Sequence, residues 1–417
     1  MSGELHKVAV TELRLGMYVA QLDRPWTDTP FLFQGFYLHH DDEIDLIRRY
    51  CQHVFVDGER SQGSPEPEAE SRTITRVTNL RWPTPGKPQP SGGRKRVEYV
   101  RSAPIEYELP AARAIYEENV KAAEDVLRRL RETGYLNLEL VQQTVSQVMD
   151  SVLRNPDTMV WLSRLRHHDE YVYQHSINSC IWGLAFARHL GLDRQSIYEI
   201  GLGAMLQDVG KTSLPSLLLS KPGPLSDAEM RVMRSHVEHS VNIMRNTPGV
   251  TGRMIDMVRA HHERFDGSGY PDGLKGNQIP TFAKIGAMVD CYDALISPRP
   301  YAQALSPHHA LREIYKWRGN LFQPEVIEQF IQAVGVYPTG TLVELNTGAV
   351  GVVISQNDSR RLRPRVMLVL DEKKHPLPRF ETVDLLHDDV WSDVRKFWIE
   401  RHVSADSYGI DPQSLYI

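Results

Sequence analysis

The sequence predicts a mainly α protein: an all-helical central region between a small α+β N-terminal module and a short β-rich C-terminal appendage. Three observations carry this reading. Apolar residues recur at helical spacing from about 110 to 335. Before residue 60 and after residue 338, short apolar runs alternate with turn residues instead. The length, 417 residues, has room for two or three domains.

In chain order, residues 8–10, 17–19 and 53–56 read as strands and 43–50 as a short helix, which makes 1–60 one module. Residues 61–105 read as a flexible linker, rich in Pro, Ser, Gly and charge as far as Ser91-Gly92-Gly93-Arg94-Lys95-Arg96. The basic triplet is expected to be solvated rather than to bind phosphate or membrane. The helical region spans 106–337. Within it, 111–133 and 138–155 are amphipathic and suit a hairpin or the face of a homodimer; further helices are expected over 170–190, 194–211, 226–246, 251–262, 280–296 and 324–334. Trp161, Trp182 and Phe186 read as core. In the appendage, 338–417, residues 341–345, 351–354 and 365–370 read as antiparallel strands with no chemistry of their own.

Composition excludes several classes. A formal net charge of −5 offers no basic field for DNA. The three cysteines, Cys51, Cys180 and Cys291, form no CxxC pair, so neither a disulfide framework nor a thiolate zinc site is expected and a reducing cytoplasm fits. The N-terminus has no signal-peptide h-region, and no apolar run approaches the roughly 20 residues of a membrane span.

The chemistry lies in His261-His262-Glu263, which runs straight into Asp266-Gly267-Ser268-Gly269-Tyr270-Pro271-Asp272-Gly273. Adjacent histidines converge on one metal cluster only at a helix end or bend, and the glycine-marked loop supplies one. Upstream lie His175, Asp208 with Lys211, and His236; downstream lies Asp290. Imidazoles with carboxylates able to bridge suit two borderline-hard divalent ions. His236 shares an apolar stripe with Met233 and Ile243, and Asp208 follows Ile200 and Ala204 at helical spacing, so the carboxylate is expected to be buried. A buried charge needs a partner, which a metal, Lys211 or a helix cap can supply.

The ordered series His175-Ser176, Asp208-Val209-Gly210-Lys211, Lys221-Pro222-Gly223, His236, His261-His262-Glu263, Gly269-Tyr270-Pro271, Ile279-Pro280, Asp290, Asp293-Ala294-Leu295 and Arg299-Pro300-Tyr301 resembles the HD-GYP family, a branch of the HD superfamily of metal-dependent phosphohydrolases. The match covers roughly 140–335; the flanking regions are similar, more loosely, to accessory regions of one common bacterial architecture. The resemblance implies an all-helical catalytic domain with two, sometimes three, divalent ions (Fe or Mn first, then Mg, Ni or Zn). It implies hydrolysis of cyclic di-GMP to linear pGpG and/or GMP. It puts His175, Asp208, His236, His261, His262 and Asp290 at metal-ligand positions, with Asp208 bridging. It puts Lys211 at the catalytic lysine, Arg299 at a phosphate contact, and Gly269, Tyr270 and Pro271 in the name-giving loop against substrate. Diguanylate cyclase (GGDEF-type) domains are implied partners.

Physical chemistry agrees with that assignment. Two divalent ions about 3.5–4 Å apart lower the pKa of a bridging water and clamp an in-line displacement at phosphorus. Lys211 can neutralise a phosphoryl oxygen, and Arg299 offers a planar fork.

Three departures stand out. Gln207-Asp208 replaces the name-giving His-Asp pair; a carboxamide oxygen is a weak neutral ligand, so one tight and one weakened site are expected. Tyr171 stands where some members carry a glutamate for a third ion. Ala302 stands where many carry a second basic residue. Among other residues, His167-His168-Asp169 read as solvated, Glu170 is off register, and His239 reads as exposed polar. Asp293 is assigned to substrate guanine or to orienting a ligand, with a core hydrogen bond as the alternative. Glu263 is expected to support the histidines, Asp266 to cap the loop, and His308-His309 to lie on the surface. The resulting expectation is a cytoplasmic cyclic di-GMP phosphodiesterase in which a metal-bridging hydroxide attacks phosphorus. The rivals are a cyclic di-GMP receptor or interaction scaffold without turnover, and a hydrolase of another cyclic dinucleotide such as cyclic GMP-AMP.

Overall fold

The computed structural model describes residues 5–24, 36–38, 41–61, 96–164, 171–297, 304–357, 362–386, 397–404 and 407–410. Two compact units divide near residue 82.

The first unit is a four-stranded antiparallel sheet of order β1-β4-β2-β3, with β1 Leu5–Ala9, β2 Tyr18–Leu22, β3 Phe36–Tyr37 and β4 His53–Asp57. Register runs Leu5↔Asp57 and Tyr18↔Tyr37. Val54 and Val56 are buried in strict alternation along β4, and helix α1 (Asp41–Tyr50) buries Ile44 and Ile47. A single turn, α2 (Gly58–Ser61), follows β4.

The second unit opens with an extended segment. Residues 96–104, expected as the end of the linker, are instead held down: Val97 N–H donates to Gly191 O at 2.9 Å, Arg188 donates to Tyr99 O at 2.7 Å, and Tyr99 Oη donates to Leu192 O at 2.9 Å. Helices α3 (Ile105–Thr133) and α4 (Leu138–Arg154) form the expected hairpin. Gly134 ends α3 in the left-handed conformation, φ 71°, and the Asn137 side chain caps α4. Helix α5 (Pro156–Arg164) was not expected from the sequence; it buries residues on every side, including Trp161 and Leu162, which erases the helical period.

Three helices form the centre: α6 (Tyr171–His189), α7 (Arg194–Leu206) and α12 (Thr281–Ile296). Each is buried nearly all round over its middle, as a helix inside a bundle must be. Each also carries polar residues inward, at His175, at Gln207-Asp208 just past α7, and at Asp290 and Asp293. Around them lie α8 (Ser216–Leu219), α9 (Asp227–Arg234), α10 (His236–Arg245), α11 (Gly252–Ala260), α13 (Pro307–Lys316) and α14 (Pro324–Val334). The expected single helix over 226–246 breaks at Ser235, where α9 ends and α10 begins. Ser226 and Glu229 close a capping box at the start of α9.

The C-terminal part is a five-stranded antiparallel sheet of order β8-β7-β6-β5-β9, with β5 Leu342–Leu345, β6 Val350–Ser355, β7 Arg365–Leu370, β8 Pro376–Asp384 and β9 Ile399–His402. Strands β8 and β9 escaped the sequence reading; β8 is mostly exposed and β9 has only four residues, so neither shows a clean apolar alternation. The sheet is tied to the helices through Asp157, which accepts from Gln356 N at 2.9 Å and pairs with Arg101. No described helix is long and apolar enough to cross a membrane.

Candidate metal centre

The six residues expected as ligands converge. Two groups of ligand-type atoms, each mutually within 4.8 Å, share Asp208: Asp208, His236, His261 and His262 form one, and His175, Asp208 and Asp290 form the other. The two oxygens of Asp208 face different groups. Oδ2 lies 3.3 Å from His175 Nε2, while Oδ1 lies 3.2 Å from His236 Nε2 and 3.8 Å from His261 Nε2.

Local backbone explains the convergence. Helix α7 does not run to 211; it stops at Leu206, and Asp208 sits in the turn before a short 3-10 segment, Val209–Ser213. Gly210 lets that segment press against α10: a Cβ there would lie 2.1 Å from His236 O. Its N–H donates to Ser240 Oγ at 2.7 Å. Helix α11 ends at Ala260, so His261 and His262 occupy the following turn, and their rings stand 4.0 Å apart. The helix end is what lets adjacent side chains serve one cluster.

The tautomers are set by backbone carbonyls. His236 Nδ1–H donates to Met233 O at 2.7 Å, and His261 Nδ1–H donates to Val258 O at 2.6 Å. Each Nε2 is left as a lone-pair donor aimed inward. His236 Nε2, His261 Nε2 and Asp208 Oδ1 are buried with no hydrogen-bond partner. Buried polar atoms are normally satisfied, so three orphans converging on one space fit a divalent cation. Burial and the neighbouring His261 hold the His262 pKa well below its usual value, which keeps that imidazole neutral and able to ligate. Burial pushes the Asp208 pKa up, but the Lys211 charge and the close approach of His175, His236 and His261 outweigh it, and the carboxyl lies well below its usual range. Asp290 is likewise lowered: burial opposes ionisation, and its contact with His175 overcomes it.

The surrounding residues sort by what they touch. Lys211 Nζ bonds Asp208 Oδ2 at 2.6 Å. Asp293 is fully buried and its Oδ2 accepts from His175 Nδ1 at 2.7 Å, which is the ligand-orienting arrangement among the expected alternatives: the carboxylate orients His175 from behind. Glu263 is corrected. It does not touch the histidines' ring nitrogens; it accepts from Asp272 N at 2.7 Å, Gly273 N at 3.1 Å and Leu274 N at 2.9 Å, and so fastens the glycine-rich loop. Asp266 accepts from Ser268 N at 2.9 Å, a turn within that loop. Gly269 has no room for a side chain, since a Cβ would lie 2.4 Å from Glu263 Cα. Tyr270, joined to Pro271, stacks on His262 with 4.7 Å between ring centroids. His239 belongs to neither ligand group. The Gln207 amide nitrogen approaches Asp290 Oδ1 at 3.4 Å, and its oxygen, buried without a partner, faces Gly286. Arg299, Pro300, Tyr301, Ala302, His167, His168, Asp169 and Glu170 lie outside the described residues.

Comparison with known proteins agrees with this geometry. Residues 163–326 match the model of the HD domain, 342–390 that of a KOW domain associated with HD domains, and 5–141 that of a domain of unknown function. A cyclic di-GMP phosphodiesterase of Pseudomonas aeruginosa is 34% identical over 91% of this chain and 89% of its own length. The chain belongs to the HD-GYP family. A cyclic di-GMP phosphodiesterase response regulator of Xanthomonas campestris is 35% identical to this HD-GYP chain, covering 46% of it and 48% of the relative. A 3'3'-cGAMP-specific phosphodiesterase of Vibrio cholerae is 34% identical over 34% of this chain and 27% of its own.

Proposed function

We propose that this chain hydrolyses cyclic di-GMP at a centre of two divalent ions, Fe or Mn by ligand type. The observation that carries the reading is Asp208, whose two oxygens face two separate ligand groups. A carboxylate so placed is suited to bridging. Full-length similarity to a relative named a cyclic di-GMP phosphodiesterase supports the choice of substrate. When bound, the ions would supply a water of lowered pKa and positive charge against the phosphodiester.

The chain's own residues do the rest. His236, His261 and His262, with Asp208, would hold one ion; His175, Asp208 and Asp290 the other, with Gln207 at most a weak ligand. Lys211, whose Nζ lies 2.6 Å from Asp208 Oδ2, would neutralise a phosphoryl oxygen or help the leaving oxygen depart. Tyr270 and the loop fastened by Glu263 wall the substrate side. Arg299 completes the set as a phosphate contact. Three free cysteines suit a reducing cytoplasm.

The test is turnover of cyclic di-GMP by the purified full chain with Mn²⁺ and, anaerobically, with Fe²⁺, resolving pGpG from GMP, with His261→Ala as control. Metal-dependent product that the control lacks is expected. Binding without turnover under either metal replaces the enzyme by a receptor. Faster turnover of cyclic GMP-AMP changes the substrate.

A further inference from the structure

Most cations near the candidate centre are already engaged. Lys211 pairs with Asp208 at 2.6 Å, Lys221 with Glu229 at 2.6 Å, and Arg259 with Asp272 at 2.7 Å. Arg264 donates to the carbonyls of His261 and Glu263. Arg234 differs. It is exposed at the end of α9, one residue before the break at Ser235, and has no ion-pair partner among the described residues. Its guanidinium lies over Tyr270, 4.8 Å from the ring centroid. Tyr270 in turn stacks on His262. Arg234, Tyr270 and His262 thus form a ladder of three planar groups leading from the protein surface to a candidate ligand.

A guanidinium stacked on a ring presents its N–H fork sideways, already ordered and only partly desolvated. A cyclic dinucleotide carries two phosphodiesters. When one reaches the metal ligands, the other stays outside them, anionic, and needs its own counter-charge. Such a fork meets that need: it is fixed in direction, matched to two phosphate oxygens and free of a competing carboxylate.

We infer that Arg234 is a substrate-binding residue that holds the second, non-reacting phosphate of the cyclic dinucleotide. The inference rests on the phosphodiesterase reading above. The contact forms in the ground state and the transition state alike, so it serves binding rather than the chemical step.

The test compares wild type, Arg234→Gln and Arg234→Lys on cyclic di-GMP, on cyclic GMP-AMP and on bis(4-nitrophenyl) phosphate, which has a single phosphodiester. Direct binding of cyclic di-GMP to the same full chains is measured by calorimetry. Arg234→Gln should raise KM for both cyclic dinucleotides roughly 10- to 100-fold, as for loss of one charge-assisted contact, with kcat within about threefold. The fall in kcat/KM should be at least about tenfold smaller for the single diester, and Arg234→Lys should recover part of the loss. An equal loss on the single diester would mean that Arg234 only props Tyr270. A loss confined to the guanine-rich ring would mean that it reads a base. Either overturns the inference. If wild type shows no turnover, the function reading fails by itself; weakened binding by Arg234→Gln would then still support the contact, and unchanged or absent binding would end it.

Discussion

His175 Nδ1 and Asp293 Oδ2 lie 2.7 Å apart in the fully buried interior, and this pair decides which way His175 faces. With Nδ1–H committed to Asp293, Nε2 is turned to Asp290 at 3.0 Å and Asp208 at 3.3 Å. The carboxylate also raises imidazole basicity. Asp293→Asn should therefore weaken Mn²⁺ binding at the His175 group roughly tenfold, at the low end of what such partners contribute. Titration with metal analysis reads this directly; unchanged affinity would sink the orienting role.

Gln207 sets a second expectation. Its amide nitrogen, not its oxygen, is turned towards Asp290. The His175 group thus keeps three strong donors where the Asp208–His236–His261–His262 group has four. Wild type should bind one ion tightly and one weakly. Gln207→His should raise the stoichiometry at limiting Mn²⁺ towards two and increase turnover. Identical isotherms for the two proteins would show that the carboxamide is an accommodated variant.

Glu263 fastens three consecutive amides of the loop that carries Tyr270. Hydrogen bonds to a charged group are worth about 1.5–3 kcal/mol each. Glu263→Gln should lower the melting temperature by on the order of 5 °C and reduce kcat/KM, because the wall beside His262 loosens. Calorimetry and kinetics on the same preparation check both; normal kinetics with the lowered transition would separate the loop from substrate handling.

His308 corrects the expectation of a surface pair. It is buried, donates from Nδ1 to Val336 O at 3.2 Å and stacks on His402 of β9 at 4.4 Å; His402 Nε2 lies 3.2 Å from His309 Nε2. Burial, then the His402 charge, pushes the His308 pKa down to about 3, and burial with His309 pushes His402 down to about 4. Imidazoles of the unfolded chain titrate near 6.5. Between pH 6.5 and about 3 the unfolded state therefore binds more protons, and stability falls as pH falls through that window. Arg312 and Arg401 add repulsion and Glu313 opposes it. The melting temperature should drop between pH 7 and pH 5, and His402→Gln should flatten the drop. Equal slopes would exclude this cluster as the acid-sensitive element.

Much of this protein was legible in its residues. His175, Asp208, His236, His261, His262 and Asp290 announced a candidate metal centre because ligand chemistry resides in residue type. The adjacency of His261 and His262 required a helix end, and α11 ends at Ala260. Helical period also located the central helices. It overran the ends, carrying α7 past Leu206 and joining α9 to α10, because an apolar repeat does not register where the backbone turns.

The sequence by itself therefore determined the fold class, the mainly helical core and the set of ligand-type side chains. Tertiary structure alone decided their division of labour. It divided the two oxygens of Asp208 between two groups, aimed Asp293 at a histidine 118 positions away and turned Glu263 to the loop. It also closed β9 over His308 and laid Arg234 on Tyr270. Each of these depends on which distant segment a side chain meets, and periodicity along one chain describes a face without saying what packs against it.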